Sequence, residues 1–164
     1  MMDCRRTVQQ LQNEIDQLKK EIYKLKHDRL TGFGNRYKLE DTLNYIQNIE
    51  WDFHPNKSYY VYLIDLDGLH EYNRTYGYKE GDNFITNITN KIFEIIKDTS
   101  ALPFRIGGDK FVLILHKHDI NKVSKIEKLD NITFAKGELT KNKPFNVLLN
   151  ELDEEIIKKK KERQ

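Results

Sequence analysis

Apolar positions along the chain fall into several distinct rhythms. From residue 7 to residue 27, Val8, Leu11, Ile15, Leu18, Ile22 and Leu25 recur at alternating steps of three and four, with polar or charged residues nearly everywhere between. This is a heptad seam with β-branched residues at one core position and leucines at the other, the assignment that favours a parallel two-stranded coiled coil. A helix packed on its own domain would show an apolar face wider than two positions in seven. The seam ends before Asp28-Arg29-Leu30-Thr31-Gly32-Phe33-Gly34-Asn35-Arg36, where two glycines and an asparagine break the helix. A second helix is expected from about Asn35 to Ile49, with Tyr37, Leu39, Leu43 and Ile46 turned to a core. Residues 51 to 57, around Pro55, read as a surface loop.

Next comes Tyr59-Tyr60-Val61-Tyr62-Leu63-Ile64, a β-branched and aromatic run typical of a buried strand. It ends in Asp65-Leu66-Asp67. Strand alternation sends both carboxylates the same way, and charges are not left buried without a partner or a metal; the pair is either a metal site or two solvated loop groups. Residues 68 to 82 lead into a helix with Phe84, Ile85, Ile88, Ile92 and Ile95 on its apolar face, ending near Asp98. Asp82 has an ordinary explanation as the cap of that helix, and Asn73 as a turn residue.

Two further apolar runs, Leu102 to Ile106 and Phe111 to Leu115, meet across Gly107-Gly108-Asp109-Lys110 and predict a β-hairpin. Gly107 and Gly108 would supply backbone angles forbidden to side chains and leave room for a ligand. Asp109 at the tip could reach a cation, or simply serve the turn. A short polar stretch follows, with at most two helical turns around Val123, Ile126 and Leu129. Residues 132 to 137 read as one more strand. Pro144 opens a final helix with Phe145, Leu148, Leu149, Leu152 and Ile156 on one face, ending in a lysine-rich tail that reads as an ordinary solvated helix end.

From Tyr59 to Gly137 the order is βαββαβ, the α+β ferredoxin-like plan: an antiparallel sheet with helices on one face. There the first strand lies beside the hairpin, so Asp65 and Asp109 can converge on a hard-oxygen site suited to Mg²⁺ with phosphates completing the shell. Two units are expected, a coiled-coil dimerisation helix over residues 1–27 and a compact domain over 28–164. The charges nearly cancel, at +2 over 164 residues, so neither nucleic acid nor membrane is indicated as a partner. A single cysteine, Cys4, allows no internal disulfide, and no run is apolar enough to span a bilayer, so the chain reads as soluble and cytoplasmic.

From Asp28 to about Arg163 the chain resembles the GGDEF family, the diguanylate cyclases, whose palm-like fold elaborates the ferredoxin-like plan. Carrying the resemblance are Asp28-Arg29-Leu30-Thr31-Gly32 with Asn35-Arg36; Asp65-Leu66-Asp67 followed by Asn73, Gly77, Gly81 and Asp82; and Gly107-Gly108-Asp109-Lys110-Phe111. The resemblance implies that Asp65 and Asp109, with the Leu66 carbonyl, hold Mg²⁺. It implies that Asn73 and Asp82 hydrogen-bond guanine, and that Gly107 and Gly108 admit the α-phosphate of GTP. Lys160 and Arg163 lie near where the family contacts the triphosphate. The implied reaction joins two GTP into cyclic di-GMP across a homodimer held by the coiled coil.

There are departures from the family pattern. Lys110 replaces an acidic residue, and as one of the catalytic positions it bears on turnover. His70 stands where a phosphate-contacting lysine is usual; one reading is compensation, with the Lys110 cation serving the same phosphates. Arg74 and Tyr78 replace an aspartate and a histidine. Asp98 and Ala101 occupy the places of the Arg and Asp of the family's product site, which predicts no product inhibition there. Three functions follow: a dimeric diguanylate cyclase, a GTP-binding module that signals to a protein partner without turnover, or a structural dimerisation domain.

Overall fold

A computed structural model describes residues 2–54 and 57–163, with side chains from Thr7 onward. Helix α1 (Met2–Lys26) is followed by a tight turn and helix α2 (Arg36–Tyr45), capped by the Asn35 side chain accepting from Lys38 N. One π-helical turn (Ile46–Glu50) and α3 (Trp51–Phe53) prolong α2. Then come strand β1 (Tyr59–Leu66), helices α4 (Leu69–Tyr76) and α5 (Tyr78–Ile96), and strands β2 (Leu102–Arg105) and β3 (Lys110–His116). A short stretch containing α6 (Ile120–Val123) leads to β4 (Ile132–Leu139) and α7 (Phe145–Glu162).

The four strands form one antiparallel sheet in the order β2-β3-β1-β4, the ferredoxin-like arrangement the element order implies. Helices cover both faces rather than one. Tyr62, Ile64 and Leu66 of β1 pack with Ile85, Ile88 and Ile92 of α5. Val61 and Leu63 face the other way, against Leu39 and Leu43 of α2 and Leu148, Leu152 and Ile156 of α7. A strand apolar at every position needs cover on both sides, and each such aliphatic chain buried is worth roughly 1.5–3 kcal/mol.

Three further expectations are corrected. Tyr37 is exposed, because the buried face of α2 runs through Leu39 and Leu43 instead. Trp51 is buried rather than in a surface loop: its indole N–H donates to Lys57 O at 3.2 Å and its ring stands edge-on to Tyr59. Pro55, placed in that loop by the sequence, lies outside the described residues. Residues 69–76, expected as lead-in, form α4.

Helix α1 projects from this body. Val8, Leu11, Ile15, Leu18, Ile22 and Leu25 are all exposed, so the seam is not spent on the domain's own core. At its base, Asn35 donates to Leu25 O at 2.6 Å and Lys26 pairs with Asp41 at 2.5 Å. Gly34 lies along β2, donating to Pro103 O at 3.0 Å and accepting from Arg105 N at 2.7 Å.

Candidate functional site

The end of β1 and the hairpin tip meet, as the strand order requires. Asp65 sits across from Lys110 in the β1–β3 register and from Thr133 in the β1–β4 register. The Leu66 N–H donates to Asp109 O at 2.9 Å. Asp65 is only 7% exposed. Its partner is Lys160, which reaches back from the last turns of α7 to bind Asp65 Oδ1 and lies 3.2 Å from Asp67 Oδ1. Both carboxylates therefore face the same cation. Burial pushes the Asp65 carboxyl up, against the hydrogen bond and charge of Lys160, and the nearby Asp109 charge pushes it up further. Burial works against the Lys160 ammonium too, but Asp65 and Asp67 outweigh it and raise its pKa.

The lysine-rich tail is thus only in part a solvated end: Lys158, Lys161 and Arg163 are exposed, while Lys159 and Lys160 are half-buried. Arg163 donates to Asp67 Oδ2 at 3.3 Å and to Thr133 Oγ1 at 3.0 Å, while the Thr133 hydroxyl lies 2.8 and 2.9 Å from the two Asp67 oxygens and donates to them. Lys159 donates to Phe134 O at 2.8 Å. These contacts stitch the end of α7 to β4 and to the loop after β1.

Asp65 and Asp109, with the adjacent Leu66 carbonyl, are hard oxygen donors at one end of the two central strands, and the buried member already draws a cation to itself. Among the described residues no group of three or more His, Cys, Asp or Glu could hold a metal unaided. Two carboxylates and a carbonyl are the donor types Mg²⁺ takes, an ion commonly bound by one or two carboxylates and completed by substrate phosphates and water. The donor set matches such an ion only together with a phosphate ligand.

The Lys110 ammonium pairs with Asp153 on α7 while its charge still acts on Asp65, so it stands near the carboxylates with a partner of its own. His70 itself is exposed on the first turn of α4. Gly107 and Gly108 are exposed and do not take left-handed angles, contrary to expectation; the positive-φ glycines among the described residues are Gly32, Gly68 and Gly77. The space they leave is real, since a Cβ on Gly108 would meet nothing within 4 Å.

Asn73 and Asp82 form a second group. Helix α5 begins at Tyr78, so Asp82 lies in its second turn and caps nothing; Asn73 lies within α4 and is no turn residue. Both ordinary explanations fall away. Asn73 Oδ1 is buried without a hydrogen-bond partner, against Gly81, the residue before the exposed Asp82. Among the described residues, no hydrogen bond or ion pair joins this group to the carboxylate cluster.

Sequence reasoning missed Arg105. Its guanidinium donates to the Gly108 carbonyl at 3.2 and 2.7 Å and to the two Asp28 oxygens at 3.1 and 3.3 Å. Asp28 also accepts from Thr31 N at 3.0 Å and Thr31 Oγ1 at 2.8 Å. Burial raises its pKa, but those bonds and Arg105 outweigh it and hold the carboxyl below its usual value. Arg105 therefore ties the foot of α1 to the hairpin tip. Thr133 and Asp153 were missed as well; no local spacing marks them, because their partners lie far along the chain.

A four-stranded antiparallel palm carrying a Gly-Gly-Asp tip beside the carboxylate at the end of its first strand defines a nucleotidyl cyclase-type domain. Residues 25–143 match the family described as "Diguanylate cyclase, GGDEF domain", and the chain belongs to the GGDEF family. Over 101 residues it is 30% identical to uncharacterized membrane proteins of Staphylococcus haemolyticus (SH2145) and Staphylococcus aureus (SAUSA300_0730). The match covers 62% of this chain and 28% of each relative's length. No helix among the described residues is long and apolar enough to cross a membrane. The coiled coil and GGDEF domain of DgcB from Caulobacter crescentus, solved in complex with c-di-GMP, superposes with a TM-score of 0.76 at 19% identity, over 98% of this chain and 92% of that one. Diguanylate cyclase SiaD from Pseudomonas aeruginosa, solved with its activator SiaC, gives 0.68 at 19% identity, over 96% and 69%.

Proposed function

We propose that this GGDEF domain binds GTP with Mg²⁺ and, as a homodimer in the cytoplasm, joins two GTP into cyclic di-GMP with release of two pyrophosphates. The observation that carries it is the buried Asp65 carboxylate, held beside the Asp109 tip and already matched to a cation. Asp65, Asp109 and the Leu66 carbonyl would hold Mg²⁺. Mg²⁺ held there would supply the positive charge that lowers the pKa of an attacking 3′-hydroxyl and offsets charge on the departing pyrophosphate. Asn73 and Asp82 orient the guanine. The open backbone at Gly107 and Gly108 admits the α-phosphate. Lys160 and Arg163, now on Asp65 and Asp67, exchange those carboxylates for the triphosphate, leaving Asp65 to the metal. His70, beside the same segment, is a weaker phosphate contact. Each chain brings one GTP, and the exposed seam of α1, paired with a second copy, raises the effective concentration of the facing site.

One observation favours a second reading, a GGDEF module that binds GTP and signals to a protein partner without turnover. Lys110 stands where the family carries an acidic residue, and it is committed to Asp153. A carboxylate that assists hydroxyl deprotonation is typically worth about 10²–10⁴-fold. Incubation of wild type and Lys110→Glu with GTP and Mg²⁺, followed by mass spectrometry, separates the two. The cyclase reading expects cyclic di-GMP from wild type; product from Lys110→Glu alone establishes the binding module. A chain that shows no GTP-induced thermal shift is neither, because a ligand of the native state must stabilise it.

A further inference from the structure

The foot of α1 is tied to the domain by a few contacts, and one of them depends on a histidine. His27, next after α1, pairs through its backbone with Gly34 in an isolated antiparallel bridge. Both nitrogens of its half-buried ring are engaged. Nδ1 lies 2.8 Å from Tyr23 O; a carbonyl can only accept, so Nδ1 carries the proton and donates. Nε2 lies 2.7 Å from Lys38 Nζ on α2; an ammonium can only donate, so Nε2 accepts. Together the two contacts require the neutral imidazole in a single tautomer. An imidazolium has no acceptor to offer, and it would set a second cation against the Lys38 ammonium.

The neighbours leave that conflict unrelieved. The Tyr23 ring stacks on the His27 ring with centroids 3.7 Å apart. Its face would welcome a cation, but Tyr23 belongs to α1, so this contact does not cross to the domain. Lys26 of α1 is paired with Asp41 of α2, and Asp28 in the turn with Arg105. Among the described residues, no hydrogen bond or ion pair joins a carboxylate to the His27 ring. Only the Lys38 contact runs from that ring to α2. We infer that His27 and Lys38 form a proton-sensitive latch. With the ring neutral, Lys38 holds the foot of α1 against α2; uptake of one proton at Nε2 breaks the contact and frees α1 to change direction. Histidine is the side chain whose charge ordinarily changes between about pH 5 and 8. The open joint binds one proton more than the latched one, so the latch strengthens as pH rises. It needs no nucleotide. Where the seam of α1 pairs two chains as proposed, the latch carries pH to the way their domains face.

The test is amide hydrogen exchange of the full chain at about pH 7.5 and about pH 5.5, as protection factors that allow for the intrinsic pH dependence of exchange. Two reporters lie in the joint: Asn35 N–H, which donates to Lys26 O at 2.9 Å, and Asp28 N–H, which donates to Phe33 O at 2.8 Å. Leu63, buried in β1, reports the core. In wild type the protection of both reporters should fall at least about tenfold at the lower pH while that of Leu63 holds. His27→Gln keeps an acceptor and a donor but takes up no proton, so its reporters should stay protected at both pH values. Lys38→Met keeps the stem and removes the ammonium, so its reporters should show the lower protection at both. Equal protection at the two pH values in wild type overturns the inference. So does a fall that persists in His27→Gln or in Lys38→Met, which would assign it to another titrating group. None of these outcomes touches GTP binding, which stands or falls separately.

Discussion

At Asp65 the chain keeps a carboxylate that its surroundings disfavour. Its folded pKa lies above its ordinary value because burial outweighs Lys160. The sign follows: the ionised group costs stability at neutral pH, and the cost fades as pH falls through the raised value. Asp65→Asn removes that cost but also takes from Lys160 the hydrogen bond and charge that outweigh its burial, so thermal unfolding at pH 7 should change by no more than about 1 kcal/mol of stability. The same variant should lose Mg²⁺-dependent GTP binding. A clear fall in Tm would show that the Lys160 pair is structural rather than held for a ligand. The Asp65-x-Asp67 spacing announced this site, since strand parity puts both carboxylates on one side. What occupies them was not legible: Lys160 lies 95 positions from Asp65 and Arg163 lies 96 from Asp67, and only the packing of α7 on the sheet brings them back. Lys110 shows the same limit, its charge visible in the sequence and its partner Asp153 not.

Among the elements, the joint between α1 and the hairpin sets the geometry. Arg105, the last residue of β2, holds both Asp28 at the foot of α1 and the carbonyl of Gly108. The Asp28–Arg105 pair is partly buried, with 24% and 14% of the side chains exposed, so after allowance for solvent screening its loss should cost about 1–2 kcal/mol. Because Asp28 titrates below its ordinary value of 3.8, its contribution is complete above that pH and is lost as pH falls through the lowered one. Urea unfolding of wild type and Asp28→Asn should therefore differ most near neutrality and converge in acid; a constant gap would remove the ion pair from the account. The heptad seam, β1 and the hairpin were all legible, because each is a strong local pattern. Helix α4 was not, since residues 69–76 bury only Leu69 and carry little periodicity. The second helical layer could have been foreseen: Tyr59 to Ile64 is apolar without alternation, the mark of a strand covered on both faces.

Across the whole molecule, one domain carries Asp65 and Asp109 at one end of its central strands and Asn73 and Asp82 on α4 and α5, the metal and guanine sites we propose, and the exposed seam of α1 is the proposed means of bringing two such domains together. The most direct measurement is calorimetric titration with a non-hydrolysable GTP analogue, in Mg²⁺ and again in EDTA, for wild type and Asp82→Ala. The account predicts saturable binding of one nucleotide per chain in Mg²⁺, lost in EDTA and in the variant. Binding indifferent to both, or no binding by wild type, would contradict it.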